Sequence, residues 1–153
     1  MHTWRTIFYI FCGLVGWLLA SVANAFIDRE PPIKYVDFYA ANPIVASGDK
    51  LTVLASALRS RNCPNQGVKR TIVGIDGLNY DVTAEVTGGL CPDRPPEEIY
   101  DRIVTIPEEI PPGPAVYYVS ITYTCHWIQK LFYPILVESP RATFTIISKR
   151  ENQ

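Results

Sequence analysis

Hydrophobic and polar positions follow two regimes along this chain. From Ile7 to Ala20 the residues are uncharged and almost wholly apolar, with one basic residue, Arg5, ahead of them. Beyond residue 30 the pattern has a period of two and is broken repeatedly by Pro and Gly. Strands are therefore predicted over "IKYVDFYA" (33–40), "KLTVLASAL" (50–58), "KRTIVGI" (69–75), "LNYDVTAEV" (78–86), "YDRIVTI" (100–106), "AVYYVSITYTCHW" (115–127) and "RATFTIIS" (141–148). The 115–127 run alternates most cleanly. Ala115, Tyr117, Val119, Ile121, Tyr123, Cys125 and Trp127 share its apolar face, and Ser120, Thr122, Thr124 and His126 lie on the wet one. "NPIVASGD" (42–49) reads as a turn segment. Asp76-Gly77 reads as a two-residue type I′ hairpin turn, which needs positive φ at both central positions. The fold class that follows is all-β, with about seven strands, no helix in the β part and one hydrophobic helix at the N-terminus.

The apolar run has two readings. "SVANA" puts Ala23 and Ala25 at the small-residue positions of a signal-peptide cleavage site. Alternatively the helix runs on from Thr6 through Ile27, reaching the ~20 residues that span a bilayer, with Asp28, Arg29 and Glu30 marking its exit into water. Arg5 keeps the N-terminal end cytoplasmic in either case, so both readings export everything after Ile27. The expected divisions are residues 1–27 as signal or anchor, 28–148 as the β domain and 149–153 as a frayed charged tail.

Composition narrows the partners more than the chemistry. Net charge is −1, and removal of residues 1–25 takes away Arg5 and no acid, moving it to −2. Neither value suits a nucleic-acid partner. Export permits disulfides, and the exported part holds three cysteines, Cys63, Cys91 and Cys125, whose spacing alone leaves every pairing open. No Asn-x-Ser/Thr sequon occurs, which fits a bacterial or phage envelope protein.

"GDKLTVLAS", "RIVTIP" and "PPGPAVYYVSITY" together resemble an immunoglobulin-like or fibronectin type III-like β-sandwich. The resemblance covers most of residues 33–148 at the level of pattern, without the family's third-strand Trp or second-strand Cys. It implies that Tyr117 is the corner tyrosine. It also implies that the second and sixth strands end at one pole, which favours Cys63–Cys125 over Cys63–Cys91 or Cys91–Cys125 and leaves Cys91 free or bridged to another chain. The layout of one export helix and one small sandwich is similar to that of phage-encoded envelope proteins.

Catalytic and metal chemistry find little footing. The exported part has one histidine, His126, and alternation sends it to the face opposite Cys125, against a Cys–His dyad. No C-x₂₋₄-C pair supports zinc, and the acids of 92–101 and 107–113 sit in Pro-rich loops as solvated charge. The expectation is a chain without enzymatic activity, cofactor or metal. Two surfaces are candidates for binding. One is the basic group Arg59, Arg61, Lys69 and Arg70, placed at one pole of the sandwich. The other is the apolar connection 126–135 with Trp127, Phe132 and Tyr133, which reads either as core or as a contact patch. The function expected is an exported interaction or structural module of the cell envelope or a phage virion, with a protein partner, and with the membrane as a second partner if the helix is retained. The alternative is a membrane-tethered periplasmic regulator of phage lysis or superinfection.

Overall fold

The computed structural model describes residues 2–27, 29–86 and 97–149. The protein is mostly β, behind one long apolar helix, α1 (His2–Ile27). Among the described residues ten strands follow: β1 (Ile33–Ala40), β2 (Ile44–Ala46), β3 (Lys50–Arg59), β4 (Asn65–Val73), β5 (Asn79–Asp81), β6 (Ala84–Val86), β7 (Glu97–Thr105), β8 (Gly113–Tyr123), β9 (Ile135–Glu138) and β10 (Ala142–Ile147). A short helix, α2 (Trp127–Leu131), joins β8 to β9.

The strands form two sheets, in the orders β1-β3-β7-β6 and β2-β10-β8-β4-β5, with β9 also on β8. One core cluster joins them, with Leu51, Val53 and Val104 from the first sheet against Ile72, Tyr117 and Phe144 from the second. Alternation explains who is inside. Along β8, Ala115, Tyr117, Val119 and Tyr123 are buried, and along β10, Ala142, Phe144 and Ile146 are. Tyr117 is fully buried in that cluster and its ring stacks on Phe38 with centroids 5.9 Å apart. In β1 a register shift between Tyr35 and Asp37 lets Tyr35 and Phe38 turn the same way, which strict period two forbids.

Several sequence expectations are corrected by pairing that lies outside the local pattern. "NPIVASGD" contains β2, which pairs parallel with β10 at the far end of the chain. The 78–86 run is two strands. β5 pairs with β4, and β6 pairs with β7 in the other sheet, so the chain changes sheets at Val82–Thr83. β9, which the sequence reading did not contain, precedes the last strand and is separated from it at Ser139–Pro140. β9 and β10 share one edge of β8, and across the break Ser139 Oγ accepts the Val119 N–H at 2.9 Å while Ser139 N–H donates to Val119 O at 2.8 Å. Proline has no N–H for a ladder, and the Ser139 pair keeps the buried edge satisfied. Cys91 lies outside the described residues, as do residues 150–153 of the charged tail.

The β4–β5 turn also differs from expectation. Gly77 has φ +74°, but Asp76 has negative φ, since no residue other than glycine among those described has positive φ. Gly77 N–H donates to Gly74 O at 3.0 Å and Gly74 N–H to Leu78 O at 3.2 Å, which makes a longer connection ending in a left-handed glycine. Asp76 holds it together. Its Oδ1 accepts the Leu78 N–H at 3.0 Å and its Oδ2 the Tyr80 hydroxyl at 2.6 Å. The Tyr80 bond, helped by the Leu78 amide, keeps the Asp76 carboxyl below its ordinary value, and the same bond pushes the Tyr80 phenol up. A depressed carboxyl supports the fold above its ordinary pKa and loses that support as pH falls through its folded value. A raised phenol supports it below its ordinary pKa and loses that support as pH rises through its folded value. Tyr80→Phe is expected to move the Asp76 carboxyl titration, followed by carbon-13 NMR, back up toward the ordinary range. An unmoved titration contradicts the assignment.

Candidate functional site

The site with the most unusual surface lies at the pole where α1 meets the β domain. It is built from residues 29–32, the loop after β3, and α2 with its flanks. Cys63, in the loop, is bonded to Cys125, just past β8, with Cα atoms 4.6 Å apart and 62 residues between them in sequence. This is the pairing that the family resemblance favoured. It extends the β4–β8 pairing of the second sheet beyond Asn65 and Tyr123 and holds the end of the β3–β4 loop there. It also sits in a second apolar cluster with Ile33, Ala57, Tyr123, Ile135 and Val137.

α2 takes its shape from that bridge. His126 caps it, with Nδ1 accepting the Ile128 N–H at 3.3 Å. Ile128 and Gln129 are buried, and the Gln129 Oε1 accepts the Cys125 N–H at 2.9 Å, so the one polar side chain turned inward is engaged. A short helix buries one side and leaves the rest outside. Trp127 is 59% exposed, Leu131 66%, Phe132 67% and Tyr133 52%. Of the two readings of 126–135, core holds for Ile128 and Ile135, while these four side chains are exposed. A soluble helix was not expected here, because a strand was read through Trp127. β8 ends at Tyr123, and the disulfide and cap turn the chain.

The segment leaving α1 is fastened to this pole. The Arg29 guanidinium lies 5.9 Å from the Tyr133 ring centroid. The Ser60 N–H donates to Pro32 O at 2.9 Å, its hydroxyl lies 3.3 Å from both the Pro31 and Pro32 carbonyls, and the Arg61 side chain donates to Glu30 O. Between Arg29, Tyr133 and Leu136 is an open hollow of about 230 Å³. α1 itself carries a 20-residue stretch, Trp4–Ala23, long and apolar enough to cross a membrane and with none of it buried against the domain. Ala23 and Ala25 both lie within the helix.

The basic group does not form one surface. Arg59 is half-buried at the end of β3 and Arg61 is bound to Glu30 O, so both belong to the α1 pole. Lys69 and Arg70 lie within β4, which begins at Asn65, so they are about 13 Å and about 16 Å from that pole at the ordinary strand rise. Alternation sends them apart. Lys69 pairs outside with Asp81 at 3.3 Å, and Arg70 turns inward. The inter-sheet cavity there is also lined by Arg102 of β7, which was not among the candidate residues. The signal was present, because Tyr100, Arg102, Val104 and Ile106 share one face of their run. Both arginines line this cavity of about 50 Å³ with Tyr35, Phe38 and Tyr117. That is well below the ~300 Å³ at which ligand pockets begin, so it is a packing gap and not a substrate site. Among the described residues no group of three or more metal-ligating side chains occurs.

No family model matches this chain, and no curated protein matches it. Solved structures similar to it include an alkylpurine DNA glycosylase from Pseudomonas fluorescens bound to DNA containing an abasic-site analogue, at TM-score 0.44 and 12% identity over 77% of this chain and 31% of that one. A family 123 glycoside hydrolase from Clostridium perfringens matches at TM-score 0.37 and 12% identity over 71% of this chain and 22% of that one. A ceramidase complexed with C2 matches at 0.38 and 14% over 76% and 19%. This chain thus spans between about a fifth and a third of those chains. All three are enzymes, so the expectation of a chain without enzymatic activity is withdrawn. Likenesses of this strength put no activity, substrate or partner in its place.

Proposed function

We propose that this protein is a membrane-tethered module of the cell envelope. In this reading α1 stays attached and spans the bilayer, and an immunoglobulin-like, disulfide-closed β domain stands on the extracytoplasmic side, where it engages a protein partner. The observation that carries the reading is the junction: an unburied apolar span runs within a few residues into a domain closed by Cys63–Cys125. A disulfide fits an oxidising compartment, and Arg5 ahead of the span fits a cytoplasmic N-terminus. Retention is supported by α1 continuing through Ala23 and Ala25, where helical hydrogen bonds occupy the backbone that a peptidase must read. The fastening of residues 29–32 to Ser60, Arg61 and Tyr133 supports it further. The immunoglobulin-like reading is supported by strand order. The first sheet corresponds to A-B-E-D, and the second places the last strand, then F, then C, beside one another. A partner contact at the pole opposite α1 is supported by Ile75 and Leu78, which are exposed on the β4–β5 turn. Tethering favours the regulator expectation over a freely secreted or virion-borne module.

Intact mass of the protein from washed membranes is expected to include residues 1–25. A chain beginning at Phe26 in the soluble exported fraction contradicts the tether.

A further inference from the structure

We propose that Trp127, Leu131, Phe132 and Tyr133 are a lipid-contacting foot that seats the β domain on the outer surface of the bilayer that α1 crosses. The inference rests on the tethered reading above.

Position is the first argument. At 1.5 Å per residue the 26 residues of α1 are about 39 Å long, against a hydrocarbon core of about 30 Å, so the last turn of α1 lies at headgroup depth. Arg29 follows Ile27 by two residues, and Tyr133 is within cation–π reach of Arg29. That contact sets the height of Tyr133 at the membrane–water boundary. α2 and α1 are also in contact.

Chemistry is the second argument. Four large apolar or aromatic side chains lie within seven consecutive residues, each more than half exposed. Leu136, 61% exposed, extends the patch along β9, and Ile27, 80% exposed, continues it on α1. The foot is therefore continuous with the membrane-crossing surface rather than an isolated patch on the domain. Trp and Tyr are the residues that gather at bilayer interfaces, because an apolar ring and a polar handle both find their solvent there. Lys130 in the last turn of α2 and Arg29 beside Tyr133 supply the cations that reach for phosphate while their stems lie on apolar surface. A protein-facing hot spot would more usually be ringed by polar groups that exclude water, and here the apolar surface runs on into α1.

The test uses the full chain in phosphatidylcholine vesicles. The sequence has three tryptophans, at positions 4, 17 and 127. The W4F/W17F variant leaves Trp127 as the sole reporter. Its fluorescence is expected to fall by roughly half with lipids brominated near the headgroup, less with lipids brominated near the chain end, and little with aqueous acrylamide. In the same variant, adding Leu131→Glu and Phe132→Glu is expected to abolish the lipid quenching with the circular dichroism unchanged. No response to brominated lipid overturns the foot, whether acrylamide then quenches Trp127 strongly, as for an indole open to water, or weakly, as for one shielded by protein. The companion W127F variant reports the tether separately through Trp4 and Trp17. If these respond to brominated lipid and Trp127 does not, the foot fails and the tether stands; if neither does, the tether fails.

Discussion

Replacing Cys63 and Cys125 together with alanine is expected to lower the unfolding free energy of the domain by about 4 kcal/mol. The bridge closes 62 residues of chain, and restricting a loop of that length in the unfolded ensemble is worth about that much in the chain-entropy account. Small domains have a net stability of only about 5–15 kcal/mol, so the loss takes a large part of the margin. The bridge also fixes Cys125, whose amide binds Gln129, and so the start of α2. The double variant should therefore melt the α1 pole first. Urea unfolding with and without reductant, followed by tyrosine and Trp127 fluorescence, checks this. A midpoint that does not respond to reductant contradicts it.

Tyr117→Ala is expected to cost about 3–5 kcal/mol, the range for removing a large aromatic from a packed core. The side chain is fully buried in the cluster that joins the two sheets, and its ring stacks on Phe38. Leu131→Ala is the contrast. Its side chain is mostly exposed, so its effect on unfolding in detergent-free or detergent-bound protein should stay within about 0.5 kcal/mol. Thermal unfolding of the two variants beside the parent separates core from contact surface. Equal losses contradict the division drawn here.

The parts of the fold legible in the sequence were those where burial repeats locally. β8 could be read because an eleven-residue strand with one face packed on the other sheet must alternate, and its pairs with β4, β9 and β10 impose the same face throughout. β2 and β9 were missed because three or four residues carry too little pattern; what makes β2 a strand is β10 at the other end of the chain, and what makes β9 one is β8, reached around α2. The 78–86 run was read as one strand because its alternation continues while the chain changes sheets at Val82–Thr83. α2 was missed because its helical period is one turn long and its cap, His126, had been given to the strand. Of the candidate site, the aromatic connection was found by composition alone. The basic group was misplaced because β4 begins four residues earlier than read, which carries Lys69 and Arg70 from the start of the strand to its middle, away from the pole.

The central claim is that the β domain is held outside the cytoplasmic membrane by an uncleaved α1. Protease added to intact spheroplasts, followed by mass spectrometry of what stays in the membrane, tests it most directly. Chain beyond Arg29 is expected to be digested from outside without permeabilisation, and a fragment containing Trp4–Ala23 to remain in the membrane. A full-length chain that resists protease until the membrane is broken, or a membrane with no such fragment before digestion, contradicts it.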